Sequence, residues 1–292
     1  MPELPEVETI VRDLDREVRN RTFLDIWSDA KNLIKRDAFP VFKKKIVGKK
    51  ILRVRRRAKN ILIDLSDDYT LLIHQKITGH LLLGKWKLEK GKWNAEEEGP
   101  LSCDPMNRFL HVIFFLDDKR QLALSDARKF AKVELWKKEE LEKSKEFSAL
   151  GPEPLAKDFT FVKFEELFVK KRGKIKQVLM DQNFISGIGN IYASEILFEA
   201  KIHPEEDVSK LTKSDLERIY KATRRILEKS IELKGDSFSD FRTIYGEKGK
   251  SHETVRVYQK EGEKCPRCGG LIKRIKQGGR SSFFCPKCQI KK

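Results

Sequence analysis

The pattern of apolar and polar positions divides the chain into a strand-rich first half and a helical second half. Five apolar residues recur at helical spacing within 3–20 and predict an amphipathic helix: Val7, Ile10, Val11, Leu14 and Val18. Runs rich in Ile, Leu, Val and Phe then predict eight short strands, at 22–28, 50–56, 60–66, 70–76, 80–86, 108–116, 120–125 and 131–136. We therefore expect this half to be a two-layer β-sandwich with one packed helix.

The periodicity changes after residues 151–154, where a Gly-Pro-Glu-Pro sequence interrupts regular structure. The later segments with helical periodicity are 161–171, 174–182, 190–200 and 212–233. Residues 89–107 contain Gly, Pro and an acidic cluster, and we expect an exposed loop there. The predicted fold class is α+β with several domains: a β-sandwich domain over 1–137, a linker over 138–151, a helical domain over 152–262 and a small finger over 263–292.

Four of the five cysteines form two Cys-x-x-Cys pairs separated by sixteen residues: Cys265, Cys268, Cys285 and Cys288. Two such pairs are typical of a zinc site in which each pair directs two thiolates at one ion. Because the protein would supply all four ligands, we expect one structural zinc ion and no catalytic metal. The fifth cysteine, Cys103, falls outside this pattern, and we assign it no role.

The charge of the chain points to a polyanionic partner. Its 292 residues include 62 Lys and Arg against 45 Asp and Glu, a net charge of +17. Residues 43–59 hold ten basic residues and no acid, and residues 263–292 hold nine basic residues and one acid. A solvated face would explain either segment alone, but two such segments favour one nucleic-acid ligand. We recognise neither a membrane span nor a signal peptide, so we expect a cytoplasmic or nucleoid-associated protein.

The N-terminal sequence Met-Pro-Glu-Leu-Pro-Glu has two interpretations. It is either an ordinary acidic helix start, where carboxylates suit the helix dipole, or a reactive site. Removal of Met1 would expose the secondary amine of Pro2, and an α-amine has a pKa near ~8, against ~10.4 for Lys. Such an amine can attack a sugar C1′ and form an iminium that promotes elimination of phosphate. Glu3 beside it could supply the proton that opens the sugar ring.

Six collinear motifs resemble the formamidopyrimidine-DNA glycosylase family of bacterial base-excision repair enzymes. They read MPELPEVET, RRAKNIL, DARKF, GPEPL, LMDQNFISGIGNIYASEILFEAKIHP and QGGRSSFFCPKCQ, in order between residues 1 and 289. The resemblance implies a glycosylase and AP lyase that acts on oxidised purines, chiefly 8-oxoguanine and formamidopyrimidines, in double-stranded DNA. It also implies a β-sandwich, a helix-two-turn-helix domain and a zinc finger, with DNA in the cleft between them.

The resemblance assigns five residues to the reaction and its phosphates. Pro2 is the implied nucleophile and Glu3 the implied acid and base. Lys59 is implied to contact a phosphate near the reacting sugar. Asn190, at a helix start, and Arg280, in the finger, are implied to hold phosphates around the lesion.

A further group of residues is implied to contact the DNA around the extruded base. Arg128 would pair with the widowed cytosine and Phe130 would act as a wedge. The family has an H-x-x-M-[ST]-G segment with a methionine as third void-filler, and here His74 is followed by Ile77 at that position. Isoleucine is stiffer and shorter than methionine. Lys176 matches a lysine implicated in base recognition.

Two alternatives stay open. One is a glycosylase of the same family that prefers oxidised pyrimidines or hydantoins, because Ile77 and the segment 243–254 depart from the family pattern. The other is a lesion-binding protein without chemistry, which would have no use for a free amine beside a carboxylate. One active site per chain is sufficient for catalysis, so we expect a monomer.

Overall fold

The computed structural model describes residues 1–236 and 241–292, which form two compact units. The first unit comprises Met1–Ser148 together with Lys234–Lys250, and the second comprises Ala149–Leu233 together with Ser251–Lys292. Each unit is described by itself below. Among the described residues, none of the helices is both long and apolar enough to cross a membrane.

Two sheets and one long helix build the first unit. Its helices are α1 (Leu4–Val18), α2 (Phe39–Ile46), α3 (Lys138–Lys143) and α4 (Lys145–Ser148). Its strands are β1 (Phe23–Ser28), β2 (Ile34–Lys35), β3 (Ile51–Arg57), β4 (Asn60–Leu65), β5 (Tyr69–His74), β6 (Gly79–Gly84), β7 (Trp86–Glu89), β8 (Lys92–Ala95), β9 (Leu110–Leu116), β10 (Gln121–Asp126) and β11 (Lys132–Lys137).

The two larger sheets have the strand orders β1-β9-β10-β6 and β2-β11-β5-β4-β3. All neighbouring strands in them are antiparallel except β11 and β2. Alternate residues of both sheets share one buried core, including Leu81 and Phe114 from one sheet and Ile61 and Ile73 from the other. The apolar face of α1 joins that core, as the helical spacing predicts. The predicted β-sandwich with one packed helix is confirmed.

Residues 89–107 were predicted to be an exposed loop, and that prediction is wrong in part. Strands β7 and β8 form a separate antiparallel hairpin that includes residues 92–95. Trp93 holds the hairpin in place, because its ring meets that of Trp27 edge-on, with 5.2 Å between centroids. A short 3-10 helix, Pro105–Phe109, follows, and the Asp104 side chain accepts a hydrogen bond from the Met106 amide at its start.

The segment Lys234–Lys250 belongs to the first unit, although the sequence prediction included it in a helical domain over 152–262. Phe241 and Ile244 are buried in the sandwich core, and the Leu83 amide donates to the Ile244 carbonyl at 2.8 Å. The predicted linker also differs, because Leu141 of α3 packs on Leu62 and Leu72 of the sandwich. Few apolar residues attach either segment to the sandwich, so the apolar pattern of the sequence did not indicate that they belong to it.

Four helices and the finger build the second unit. The helices are α5 (Phe161–Phe168), α6 (Ile175–Met180), α7 (Asn190–Ala200) and α8 (Lys213–Glu232), and the finger strands are β12 (Lys273–Gln277) and β13 (Arg280–Phe284). Phe198 of α7 shares a core with Ile272, Phe283 and Cys285 of the finger. Buried Glu195 accepts hydrogen bonds from the amides of residues 256–258, each at 2.9 Å. The finger therefore rests on α7 through apolar packing and a buried carboxylate.

Candidate functional site

The N-terminus of the first unit sits at the positive end of α1. Glu3 is the N-cap residue and is buried, whereas Pro2 is half-buried. The Glu3 amide donates to Oε2 of Glu6 at 2.8 Å, and the Asp236 amide donates to Oε1 of the same carboxylate at 2.8 Å. Leu4 is completely buried behind them. The backbone that carries Pro2 and Glu3 is thus fixed by a cap on one side and an apolar anchor on the other.

Lys59 lies in the tight turn between β3 and β4. Ala58 precedes it in the left-handed conformation, with φ +54°, and the Arg56 guanidinium donates to the Ala58 carbonyl at 3.0 Å. Arg56 also contacts Glu8 of α1 at 2.8 Å, which ties this turn to the helix that begins beside Glu3. Lys59 itself is buried. These contacts hold the turn that carries Lys59 against α1, the helix that begins beside Glu3.

His74 is a neutral imidazole at the end of β5. Burial and the positive charges of Lys76 and Lys59 lower its pKa to about 3. Its Nδ1 accepts a hydrogen bond from the Lys76 amide at 3.0 Å, so the ring proton is on Nε2. His74 therefore supports the following turn and presents no cationic charge at neutral pH.

Three implied void-fillers project from two turns of the first unit. Ile77, in the turn between β5 and β6, is 49% exposed, and Phe130, in the turn between β10 and β11, is 53% exposed. The Arg128 guanidinium lies over the Phe130 ring, 4.7 Å from its centroid. Exposed apolar side chains of this size at adjacent turns are suited to contact with a partner.

The buried side chain of Lys176, in α6, contacts both α7 and the finger strand β13 of the second unit. It is 2% exposed, and its Nζ donates to Oδ1 of Asn190 at 2.8 Å, the Ser281 carbonyl at 3.0 Å and Oγ of Ser282 at 2.9 Å. The first bond orients Asn190, the first residue of α7, and the others fix β13 of the finger. The Lys176 side chain thus joins the start of α7 to the finger, and the base contact that the resemblance implies stays a prediction.

Arg280 is exposed and follows a two-residue hairpin turn. Gly278 and Gly279 have φ values of +55° and +75°, which β-carbon-bearing residues rarely adopt. A Cβ on Gly278 would also lie 2.5 Å from Nε2 of the Gln177 side chain. Gln277, paired with Arg280, donates to the Pro204 carbonyl at 3.1 Å. The turn is therefore narrow and anchored on the helical part of its own unit, with the arginine facing solvent.

The four predicted metal ligands converge. The Sγ atoms of Cys265, Cys268, Cys285 and Cys288 all lie within 4.8 Å of one another, with pairs at 3.4 and 3.9 Å. Tetrahedral zinc with bonds of ~2.3 Å would separate its thiolates by roughly 3.8 Å, so the donor set fits that ion. Amide donation from Gly269 to the Cys265 carbonyl, and from Gln289 to the Cys285 carbonyl, closes the two knuckles.

Two residues of the site were missed by sequence reasoning. Glu6 joins the Glu3 amide to the Asp236 amide, and the spacing of three from an N-cap residue is the signal that could have indicated it. Asp126 is completely buried at the base of the Arg128 turn. Its sequence context, at the end of a predicted strand, gives no sign of burial.

Three domain profiles match successive parts of the chain. The N-terminal domain of formamidopyrimidine-DNA glycosylase matches residues 1–133, the H2TH domain of that enzyme matches residues 150–242, and the zinc finger found in FPG and IleRS matches residues 262–290. A formamidopyrimidine-DNA glycosylase from Pelotomaculum thermopropionicum is 38% identical over 289 residues, 99% of each chain. The chain belongs to the formamidopyrimidine-DNA glycosylase family.

Solved structures of the family have the same fold. A complex of a Lactococcus lactis FPG point mutant with Fapy-dG-containing DNA is 33% identical, with a TM-score of 0.87 over 99% of this chain and 100% of that one. A complex of the wild-type Lactococcus lactis protein with DNA that contains an oxidised pyrimidine is 33% identical, with a TM-score of 0.85 over the same shares. The four-cysteine cluster of this glycosylase is accordingly a structural zinc site, and no catalytic metal is indicated.

Proposed function

We propose that this glycosylase removes oxidised purines, chiefly 8-oxoguanine and formamidopyrimidines, from double-stranded DNA and then cleaves the strand. Full-length similarity to formamidopyrimidine-DNA glycosylases supports the first part. The observation that carries the second part is the N-terminus: Pro2 stands at the start of α1, directly before the buried Glu3. A secondary amine held beside a carboxylate is suited to iminium chemistry on a sugar.

The proposed reaction begins when the Pro2 nitrogen, freed by removal of Met1, attacks C1′ of the extruded nucleotide. The C1′–base bond breaks as the proton of the attacking nitrogen passes to the departing base. Glu3 then protonates the ring oxygen, the C1′–O4′ bond breaks, and the nitrogen lone pair forms the C1′ iminium, a positively charged electron sink. A proton then leaves C2′ and the 3′ phosphate departs, after which the same sink assists departure of the 5′ phosphate.

The remaining site residues are proposed to hold the substrate. Lys59 is close enough to His74 to depress its pKa, which supports a concentrated positive field at that turn for a phosphate. Asn190 at the start of α7 and Arg280 in the exposed hairpin turn are suited to phosphates flanking the lesion. Zinc would hold the finger that carries Arg280, and it takes no part in the chemistry.

Arg128, Phe130 and Ile77 are proposed to fill the space that the base vacates. A guanidinium beside an exposed aromatic ring can pair with a widowed base while the ring occupies the adjoining step. Ile77 fills less length than the methionine of the family pattern. This supports oxidised pyrimidines as a second substrate class, in accord with the Lactococcus lactis complex with an oxidised pyrimidine.

Borohydride trapping tests the proposal. The protein, with Met1 removal checked by mass, is incubated with an 8-oxoguanine:cytosine duplex and with an abasic duplex. We expect a covalent adduct on both, and none with a variant that retains Met1, because Pro2 is then an amide. A Pro2→Gly variant should trap less. An adduct on the abasic duplex alone would shift the substrate to other lesions, such as an oxidised pyrimidine. DNA binding without any adduct would indicate a lesion-binding protein.

Two further expectations complete the proposal. One active site per chain makes a monomer sufficient, and sedimentation of the protein alone and with one duplex would test it. The family membership supports action on chromosomal DNA in the cytoplasm of a prokaryote, which fractionation of the source cells would test.

A further inference from the structure

Asp126 is a completely buried carboxylate at the end of β10, at the base of the turn that carries Arg128 and Phe130. Its Oδ2 accepts a hydrogen bond from the Ala131 amide at 2.7 Å, and its Oδ1 accepts one from the Arg128 amide at 3.3 Å. The Lys129 amide donates to its backbone carbonyl at 3.1 Å. Asp126 therefore accepts hydrogen bonds from three backbone amides of this turn and fixes its conformation.

The same carboxylate reaches the neighbouring turn. The Thr78 hydroxyl, next to Ile77, donates to Oδ1 of Asp126 and accepts from the Arg128 amide at 3.2 Å. Strand register brings the two turns together, because Asp126 pairs with Gly79 across β10 and β6. Gly79 has no room for a Cβ, which would lie 2.3 Å from the Gln75 carbonyl oxygen. The turn that carries Ile77 is thus tight and joined to the turn that carries Phe130.

A buried charge is tolerated only where donors surround it, and leaving it partly unpaired is costly. The donors of Asp126 come from both turns. If one turn shifted alone, the buried carboxylate would lose hydrogen-bond donors. Ile77, Arg128 and Phe130 are proposed to enter the DNA together. If their two turns are already fixed, less conformational entropy is lost when the protein binds.

We propose that Asp126 and Thr78 are positioning residues that hold the two turns in one fixed relation, so that Ile77, Arg128 and Phe130 enter the DNA as a preformed unit. The inference rests on the proposed function. It adds that the step governed by this pair is base extrusion, whereas elimination at a site that has already lost its base proceeds without it.

Thr78→Val is the discriminating variant, because it removes the hydroxyl and keeps the side-chain shape. Thr78→Ser keeps the hydroxyl. Thr78→Ala also removes the hydroxyl and replaces Thr78→Val if the valine variant does not fold. The matched control is Thr70→Val, since buried Thr70 donates to Oδ1 of Asp64 at 2.9 Å within the same sandwich, away from both turns. The circular dichroism melt of every variant is recorded.

We expect Thr78→Val to slow single-turnover base release from an 8-oxoguanine:cytosine duplex about tenfold, with elimination on a preformed abasic site within about twofold of wild type. Thr78→Ser should restore base release, and Thr70→Val should leave the ratio of the two rates unchanged. Equal slowing of both steps by Thr78→Val, or the same change of ratio in Thr70→Val, would overturn the inference.

A second readout separates this inference from the proposed function. A 2-aminopurine placed beside the lesion brightens when side chains unstack it. Thr78→Val should slow that rise about tenfold and Thr70→Val should not. Suppose that the wild-type protein formed no covalent adduct, while the fluorescence rise was still slower in Thr78→Val than in the wild-type and Thr70→Val proteins. The proposed chemistry would then be refuted, and the positioning role of Asp126 and Thr78 would be supported. Unchanged insertion in an active Thr78→Val variant would refute the pair alone.

Discussion

The two basic segments of the chain, equally conspicuous in the sequence, are used differently in the structure. In residues 43–59, at least five of the ten basic side chains contact a carboxylate of the same unit within the described part of the chain. These pairs are Lys43–Asp25, Lys45–Asp37, Lys49–Asp67, Arg55–Asp64 and Arg56–Glu8. In the finger hairpin, Lys273, Lys276 and Arg280 are exposed and have no ion pair within the part of the chain that the structure describes.

The difference shows that net charge overstates the charge available to a ligand. A lysine already paired with a carboxylate releases few counterions when DNA binds, whereas an unpaired one contributes close to a full charge. The first segment therefore mainly stabilises its own unit, with Lys59 at its end as the member that we propose contacts the DNA. The finger hairpin should supply more of the salt-dependent affinity.

Removal of zinc should have the largest effect on this comparison. Cys268→Ser, or chelation, should unfold the knuckles and scatter the hairpin charges, so that affinity for a duplex with an abasic-site analogue falls about a hundredfold. Fluorescence anisotropy measures the affinity. All four tryptophans (Trp27, Trp86, Trp93 and Trp136) lie in the first unit, so their emission reports whether the sandwich stays folded. Cys103→Ser is the control, and retained affinity after full metal loss would contradict the assignment.

The half-buried His74 of the first unit should make stability depend on pH, and Lys59 of the first basic segment contributes to that effect. Burial and the charges of Lys76 and Lys59 hold the pKa of His74 at about 3, below its ordinary 6.5. Below pH 6.5 the unfolded chain therefore binds a proton that the folded chain does not, and stability present above pH 6.5 is lost as the pH falls. The loss at pH 5 should be about 2 kcal/mol.

Urea unfolding followed by tryptophan emission at pH 7 and pH 5 measures this loss. His74→Asn retains an acceptor for the Lys76 amide and has no titrating group, so its stability should change less between the two pH values. An equal loss in the variant would assign the pH dependence to other residues.

Much of the fold could be predicted because it depends on periodicity. The eight strands and α1 bury residues at regular spacing, and the cysteine pairs converge as their spacing indicates. The hairpin of β7 and β8 was missed because Lys and Glu surround Trp86 and Trp93 and conceal the alternation. Burial of Asp126 and Lys176 depends on donors and acceptors brought from distant segments, and no local pattern encodes those partners.

Neutralising one charge of the finger hairpin should have a smaller effect than losing the finger. Arg280→Gln should weaken binding about tenfold at low salt and reduce the slope of log affinity against log salt by about one, because one phosphate contact is lost. Anisotropy titrations over a series of salt concentrations give both values. Lys287→Gln is a matched control from the same finger but outside the hairpin strands. An unchanged slope in Arg280→Gln would remove Arg280 from the phosphate contacts.

The corresponding change in the first segment should leave DNA binding unaltered and have the smallest effect overall. Arg55 donates to both carboxylate oxygens of Asp64, at 2.7 and 3.1 Å, and both side chains are about one-fifth exposed. Arg55→Gln should therefore keep the salt slope of binding and lower the free energy of unfolding by about 0.5–1 kcal/mol, as expected for a partly exposed pair. Urea unfolding and anisotropy on the same preparation distinguish the two quantities. A salt slope reduced by one, with stability unchanged, would place Arg55 on the DNA and show that ion pairing within a unit does not withdraw a charge from the ligand.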